Sequence, residues 1–351
     1  MSIIINLTKP QFGSQYIQEK IICVRAHRER IFRVEPEHYR DKIIFHNYGH
    51  GGTGWTFLFG SVDKSIEQFK NMQHLYDIKP SVCVIGAGCY GLLTAIHLAR
   101  NGYSVSIIAA EQTKQLPSHK AAGFFFPRHR RTSTPQEKKE FLEIGIHSYK
   151  TYRAIATGNH PFIPDGPTII PAYYGNNNNP GFDEYIKQDL MPTPKPVTIS
   201  FGTTQHNVMY YQTVFINPAQ IMMHLENLIT QYEIPIIQQT ITDFSELQEQ
   251  YIFNCAGLGA KQLTGDKKIV PVQGHLITLK NQRDIHALQY MINVKVPVID
   301  RNGIPRHQLL YYAPKDSGIL GITFLRGKRS QVPNHHEFDL LIERCNTFFG
   351  S

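Results

Sequence analysis

The sequence is poor in the residues that build disulfide frameworks and zinc ribbons. Its 351 residues include five cysteines, Cys23, Cys83, Cys89, Cys255 and Cys345, none of them in a Cys-x-x-Cys pair. An odd, scattered set argues against a cystine scaffold. Cys83, Cys89 and Cys255 fall in apolar runs, where cysteine behaves as a small buried hydrophobe. No run of about 18 apolar residues occurs, so no membrane-spanning helix is expected. The opening stretch MSIIINLTKPQ lacks a basic segment and a long apolar core, and the final TFFGS is not a peroxisomal tripeptide. A reducing, cytoplasmic compartment is therefore expected. Charged residues make up 18% of the chain and hydrophobic ones 41%. That is a globular composition, and the length allows two cores. The net charge of +8 permits an anionic partner, including nucleic acid, without requiring one.

The clearest positive signal is SVCVIGAGCYGLLTAIHLARNGYSVSIIAAE, residues 81–111. Val82 to Ile85 is a short apolar run suited to a strand buried on both faces. Gly86, Gly88 and Gly91 then supply G-x-G-x-x-G. Leu92, Leu93, Ala95, Ile96, Leu98 and Ala99 follow at helical spacing, Asn101-Gly102 closes the helix, and Val105 to Ile108 reads as a second strand. A strand, glycine turn, helix and strand in that order mark a dinucleotide-binding unit. Gly86 permits the tight turn, Gly88 lets backbone approach a pyrophosphate, and Gly91 lets the helix pack close so that its amides face the phosphates. Glu111, just past the second strand, is the candidate for a ribose hydroxyl, or else an exposed loop residue.

About thirty residues upstream lies a second glycine-rich stretch, HNYGHGGTGWTFLFGS. A metal site is a poor reading of it, because Gly49 and turn-prone Asn47 keep His46 and His50 off one helix. Downstream, LPSHKAAGFFFPRHRR places small residues Ala121, Ala122 and Gly123 after Ser118. Such a segment can lay backbone amides against a planar ring or a phosphate. Thr134-Pro135 reads as N-cap and first turn of a helix over 135–156. Arg128, Arg130 and Arg131 before it read as a solvated basic loop, with a phosphate or RNA contact as the alternative. NHHEF, 334–338, reads as a loop leading into a C-terminal helix.

These segments resemble the D-amino-acid oxidase family of FAD-dependent amine oxidoreductases. The resemblance is carried by the Ser-x-x-Ala-Ala-Gly segment at 118–123, by IPIIQQTITDF with Ile241, which resembles the strand whose backbone contacts adenine, and by YIFNCAGLGAKQL at 251–263. It is carried further by PVQGHLITL, by YYAPKDSGILGITFLRG, and most specifically by Asn47-Tyr-Gly-His-Gly-Gly-x-Gly54. It implies an α/β FAD-binding domain of Rossmann type plus an α+β substrate domain with a mixed or antiparallel sheet. The expected limits are 37–127 with 213–262 for the first, and 1–36, 128–212 and 263–351 for the second. In the family the arginine strand and the His-Gly-Gly segment close the chain. Here IICVRAHRERIFRVE and HNYGHGGTGWT come first, and QHLYDIKP leads on to the nucleotide unit, so the chain reads as a circular permutation. The segment 155–205 matches least.

The resemblance also implies site roles. Arg25 takes the place of the arginine that clamps a substrate carboxylate, a task a guanidinium suits because it can donate two parallel hydrogen bonds. The alternative is one more solvated arginine beside Arg28, Arg30 and Arg33. Tyr311 aligns with a tyrosine that contacts the same carboxylate, with Tyr312 as the alternative, since strand alternation turns only one inward. His307 stands where a lid tyrosine can occur. Phe126 favours an apolar substrate group. Gly51, Gly52 and Gly54 bring backbone against flavin and substrate amine, Thr56 is assigned to the flavin edge, and Trp55 and His50 sit beside the ring. Ala256 and Gly257 line the turn that closes on FAD. The implied reaction is hydride transfer from the Cα of a neutral amino acid to flavin N5. The imine then hydrolyses, and molecular oxygen becomes hydrogen peroxide. The remaining alternatives are a secondary-amine oxidase (glycine, sarcosine or a tRNA aminomethyl group) and a catalytically silent flavin module.

Overall fold

The computed structural model describes residues 3–73, 79–111, 116–127, 134–175, 177–299 and 303–350. Arg128, Arg130 and Arg131, and most of the QHLYDIKP linker, lie outside them. In chain order the first segment forms β1 (Ile3–Asn6), β2 (Ile17–Arg28), β3 (Arg33–Tyr39), β4 (Lys42–Tyr48) and helix α1 (Gly54–Met72). The nucleotide unit is β5 (Ser81–Ile85), α2 (Cys89–Arg100) and β6 (Ser104–Ala109). The one-turn α3 (Pro117–Lys120) and α4 (Pro135–Ala156) follow. Next come β7 (Thr168–Tyr174), α5 (Asp183–Lys187), β8 (Lys195–Phe201), β9 (Thr204–Phe215), α6 (Pro218–Gln231), β10 (Ile236–Gln238), β11 (Tyr251–Asn254) and α7 (Ala260–Thr264). The chain finishes with β12 (Ile269–Leu279), β13 (Met291–Ile299), β14 (Pro305–Ala313), β15 (Ile319–Gly321), β16 (Leu325–Arg326) and α8 (His335–Phe349).

The apolar run at 82–85 does what continuous apolar runs do: it forms a central parallel strand, its residues at most 5% exposed. The smaller sheet runs β10-β6-β5-β11-β4-β3. All its pairings are parallel except β3 on β4. The order matters for function. β11 lies between β5 and β4, and Asn254 is level with Ile85 on one side and His46 on the other. The two glycine-rich turns therefore leave the same edge of one sheet, one strand apart. Phe45 stacks on Phe253 at 4.9 Å beneath the edge of Phe69, so β4 and β11 share one aromatic core. Helix α2 ends at Arg100, with Gly102 in the left-handed region at φ 78°.

The larger sheet is mixed and runs β1-β8-β9-β7-β13-β14-β15-β12-β16, with β2 paired antiparallel along nearly all of β12. Alternation on β14 turns its two tyrosines to opposite faces. Tyr311 packs into the core shared with the nucleotide unit, whereas Tyr312 faces the opposite cluster under α8 and donates to Leu288 O at 3.2 Å. The Thr134 hydroxyl accepts from the Glu137 amide at 3.1 Å, as its place before Pro135 leads one to expect. Two boundaries differ from expectation. His335 and His336 belong to α8, which Asn334 precedes, so NHHEF is mostly helix. Ile241 lies in coil three residues beyond β10, because the strand stops where β6 stops pairing with it. The drawn domain limits at 37 and 213 fall inside β3 and β9.

Candidate active site

The nucleotide end is built around close backbone approaches. A Cβ on Gly91 would lie 1.8 Å from the Gly86 carbonyl, and one on Gly86, whose φ is 106°, would lie 2.5 Å from the Cys255 carbonyl. Glycine is thus required where α2 meets β5 and β11. Helix α2 has no capping side chain at Gly88. Instead the Ser118 hydroxyl accepts from the Cys89 amide at 3.1 Å, and a Cβ on Gly88 would sit 3.2 Å from that hydroxyl. A helix N-terminus with glycines and a movable hydroxyl before it is a donor set that fits a pyrophosphate. Ala256 donates to the Asn254 side chain at 3.2 Å, and Gly257 turns at φ 56° with open space at its Cα. Glu111 is exposed directly beyond β6, and Ile241 is buried in the cluster with Ile85 and Ile108.

The second glycine stretch closes on the first. Tyr90, inside the fingerprint, donates its hydroxyl to Gly54 O at 2.6 Å. Its ring stacks on His50 at 4.1 Å, and Phe32 covers the other face of His50 at 4.3 Å. His50 is 3.3 Å from the Ser61 hydroxyl, while His46 is buried against Glu37 at 3.0 Å, and burial pulls its pKa below the ordinary value. Both histidines are structural in this arrangement. Trp55 donates to the Ser118 carbonyl at 3.1 Å, tying α1 to the Ala-Ala-Gly segment.

Two of the expected flavin neighbours also have structural partners. Thr56 is 1% exposed, and its hydroxyl receives the Phe126 amide at 3.0 Å and donates to Phe124 O at 3.5 Å. It pins main chain at 124–126. Gly123, at φ 91°, is glycine for packing: a Cβ would lie 2.8 Å from Pro218 and 2.9 Å from Phe215, and its carbonyl accepts from Ile216 at 2.8 Å. Ala121 and Ala122 precede it, Ala122 buried and Ala121 half-buried.

The other half of the site comes from the larger sheet. The Arg28 amide donates to Gly49 O, and a Cβ on Gly51 would lie 2.7 Å from the His27 ring. That staple sets Gly52 beside Arg25, with its Cβ position 3.3 Å from Nη1. Arg25 is 9% exposed, so it is not a solvated member of the basic run. Its Nη2 donates to Thr323 O at 3.1 Å, and its guanidinium lies over the Phe324 ring at 4.3 Å. Gly274 makes room for it, since a Cβ there would fall 2.6 Å from Nη2. Tyr311 is close enough for Arg25 to pull against the rise in its pKa that burial causes, and its ring meets Phe124 at 4.8 Å. Phe126 stacks on Tyr174 at 5.7 Å. His307 is exposed, opposite Pro297, four residues before Tyr311 on the same strand.

Several contributors were not legible in advance: Tyr90, Gly274, Thr323, Phe324 and Lys315. Lys315 is 6% exposed and donates to the carbonyls of His119 at 2.7 Å and Ala121 at 3.1 Å; burial pulls its pKa down. Lys120 returns the bond to Ile22 O at 3.1 Å. The two lysines clasp the Ala-Ala-Gly segment to the larger sheet around Cys23, whose thiol burial pushes up against the pull of Arg25, Lys120 and Lys315.

A dinucleotide turn at a parallel sheet, faced by a buried guanidinium on a second sheet, is an arrangement suited to a nucleotide cofactor. Residues 81–351 match the family described as FAD dependent oxidoreductase, DAO. The chain belongs to that family and is an FAD-dependent oxidoreductase. It is 26% identical to human D-aspartate oxidase over 283 residues, 75% of this chain and 74% of that protein. It is 21% identical to a D-amino-acid oxidase of Rubrobacter xylanophilus over 277 residues, 75% of each chain. Among solved structures, glycine oxidase from Geobacillus kaustophilus matches with a TM-score of 0.55 at 15% identity, covering 77% of this chain and 78% of that one. That likeness concerns the fold. Among the described residues no helix is long and apolar enough to cross a membrane.

Proposed function

We propose that this chain oxidises D-amino acids with apolar side chains, with oxygen as electron acceptor. The observation that carries the reading is Arg25, buried beside Gly52 and within electrostatic reach of Tyr311. A guanidinium held in a low-dielectric cleft binds carboxylate more strongly than the same group in water. Tyr311, kept protonated by burial, donates to the same carboxylate. Gly52, lacking Cβ, leaves its main chain available to the amine. Clamped at carboxylate and amine, the substrate presents one face of Cα, and the fixed orientation supplies much of the rate. The turns at 86–91 and 51–54 would hold FAD, which would supply the two-electron acceptor for the Cα–H bond. Phe324 lies against Arg25 and Phe124 against Tyr311, so the clamp pair is flanked by aromatic rings. Lys120 and Lys315 already donate to main-chain carbonyls, so neither of these two lysines waits for a second carboxylate.

The order of motifs fits a circular permutation. The family match begins at Ser81, while β4 from the preceding residues joins the same sheet, which supports the reading. That order is part of the proposal.

Anaerobic mixing of the FAD-loaded protein with a substrate panel tests the reading. D-leucine or D-phenylalanine is expected to bleach the visible flavin band about 100-fold faster than D-aspartate, because an unpaired buried carboxylate costs several kcal/mol. Equal rates with L-enantiomers would overturn the stereochemical part. Fastest reduction by D-aspartate would overturn the apolar part. Fastest reduction by N-methylglycine would favour the secondary-amine reading.

A further inference from the structure

We infer that His275 is a positioning residue for Arg25, acting from behind the sheet through Thr323; the inference rests on Arg25 being the carboxylate clamp. The route runs through a break in the β12 ladder. Leu276 pairs with Gly321 and Gln273 with Leu325, so Gly274 and His275 face three residues, Ile322, Thr323 and Phe324. This is a β-bulge, a device that re-aims groups next to active sites. A regular ladder would give the His275 amide a main-chain carbonyl. Here it donates to the Thr323 hydroxyl at 3.0 Å. The Thr323 carbonyl, released from the ladder, accepts from Arg25 Nη2 at 3.1 Å. One residue thus plugs the gap with its side chain and holds the guanidinium with its main chain.

The imidazole of His275 fixes that residue. Its Nδ1 is 2.7 Å from the same hydroxyl, and the side chain is 0% exposed, on the face of β12 away from Arg25. The Thr323 hydroxyl thus receives the His275 amide proton and shares a second hydrogen bond with Nδ1 of the same residue's neutral ring. Burial, which depresses the imidazole pKa against the pull of Glu337, favours that neutral form. Helix α8 backs the arrangement. Phe338 meets the imidazole edge-to-face at 4.9 Å, and Arg344 donates to Ile322 O at 3.3 Å, inside the same bulge. Losing the imidazole leaves the Thr323 hydroxyl held by the His275 amide alone and loosens its rotamer. The carbonyl that orients Arg25 and the Phe324 ring that covers it then lose their fixed direction.

The test uses FAD-loaded protein and benzoate, a carboxylate with no oxidisable Cα–H, titrated calorimetrically, together with steady-state kinetics on the best substrate of the panel. His275→Leu and Thr323→Val are each expected to weaken benzoate about tenfold and raise KM similarly, with kcat within about twofold. The double variant is expected to be no worse than either single one, because both break one route. His275→Asn, whose amide can occupy the Nδ1 position, is expected to restore most of the affinity. Thr323→Val exchanges a hydroxyl for a methyl and reports even where His275→Leu does not fold. Wild-type benzoate affinity in Thr323→Val, or additive losses in the double variant, would overturn the inference. Arg25→Leu separates the two levels. Lost binding there with intact binding in both other variants refutes the positioning role alone, whereas intact binding in Arg25→Leu refutes the clamp itself.

Discussion

Replacing Arg25 with leucine is expected to lower kcat/KM by roughly 30-fold to several thousand-fold, the consequence of about 2–5 kcal/mol for deleting one partner of a buried charge pair. Steady-state kinetics on D-amino acids checks it. The side chain is buried, bonded to Thr323 O and covered by Phe324, so the loss is not blunted by solvent as it would be on the surface. Leucine fills part of the apolar space, and flavin binding should persist because Arg25 lies on the larger sheet. Arg25→Lys is expected to recover only part of the loss, since an ammonium cannot make the forked contact. Loss of flavin together with activity would instead mark Arg25 as structural.

The second large effect is at Gly91. Alanine there places Cβ 1.8 Å from the Gly86 carbonyl, and neither atom can turn aside as a flexible side chain can. Helix α2 must move off β5, which withdraws its N-terminal amides from the pyrophosphate. A cost of about 3 kcal/mol or more corresponds to roughly 100-fold weaker FAD binding. Gly88→Ala should be much milder, because its Cβ meets only the Ser118 hydroxyl at 3.2 Å, and that group can rotate. The flavin-to-protein ratio after gel filtration reads both variants. Equal flavin retention in the two would contradict the packing argument.

These residues also mark where sequence is informative. The strand–glycine–helix–strand unit was legible because its signals are local: an apolar run, three glycines at fixed offsets and a 3.6-residue period all lie within 81–109. The family resemblance singled out Arg25 and Tyr311; Arg25 lies beside Gly52, and Tyr311 is within electrostatic reach of Arg25. The bonds of Thr56 to the 124–126 main chain were not legible, because a hydroxyl at the start of a helix looks free in one dimension. Nor was the packing of Gly123, whose neighbours Phe215 and Pro218 are some ninety residues away in sequence. Thr323, Phe324 and Gly274 escaped altogether. Their roles depend on a one-residue bulge opposite β12, and no local pattern announces which carbonyl a bulge will release. Lys315 escaped for a related reason: its acceptors are carbonyls of a segment nearly two hundred residues earlier.

The central claim is that residues 51–54 and 86–91 flank one flavin despite their order in the chain. A crystal structure of the FAD-loaded protein tests it most directly. The account predicts the diphosphate against the amides at 88–91 and the Ser118 hydroxyl, with the ring reaching the Gly51–Gly54 turn on the Arg25 side. A diphosphate held elsewhere, or a ring that leaves the Gly51–Gly54 turn and Arg25 in a separate cleft, would contradict it.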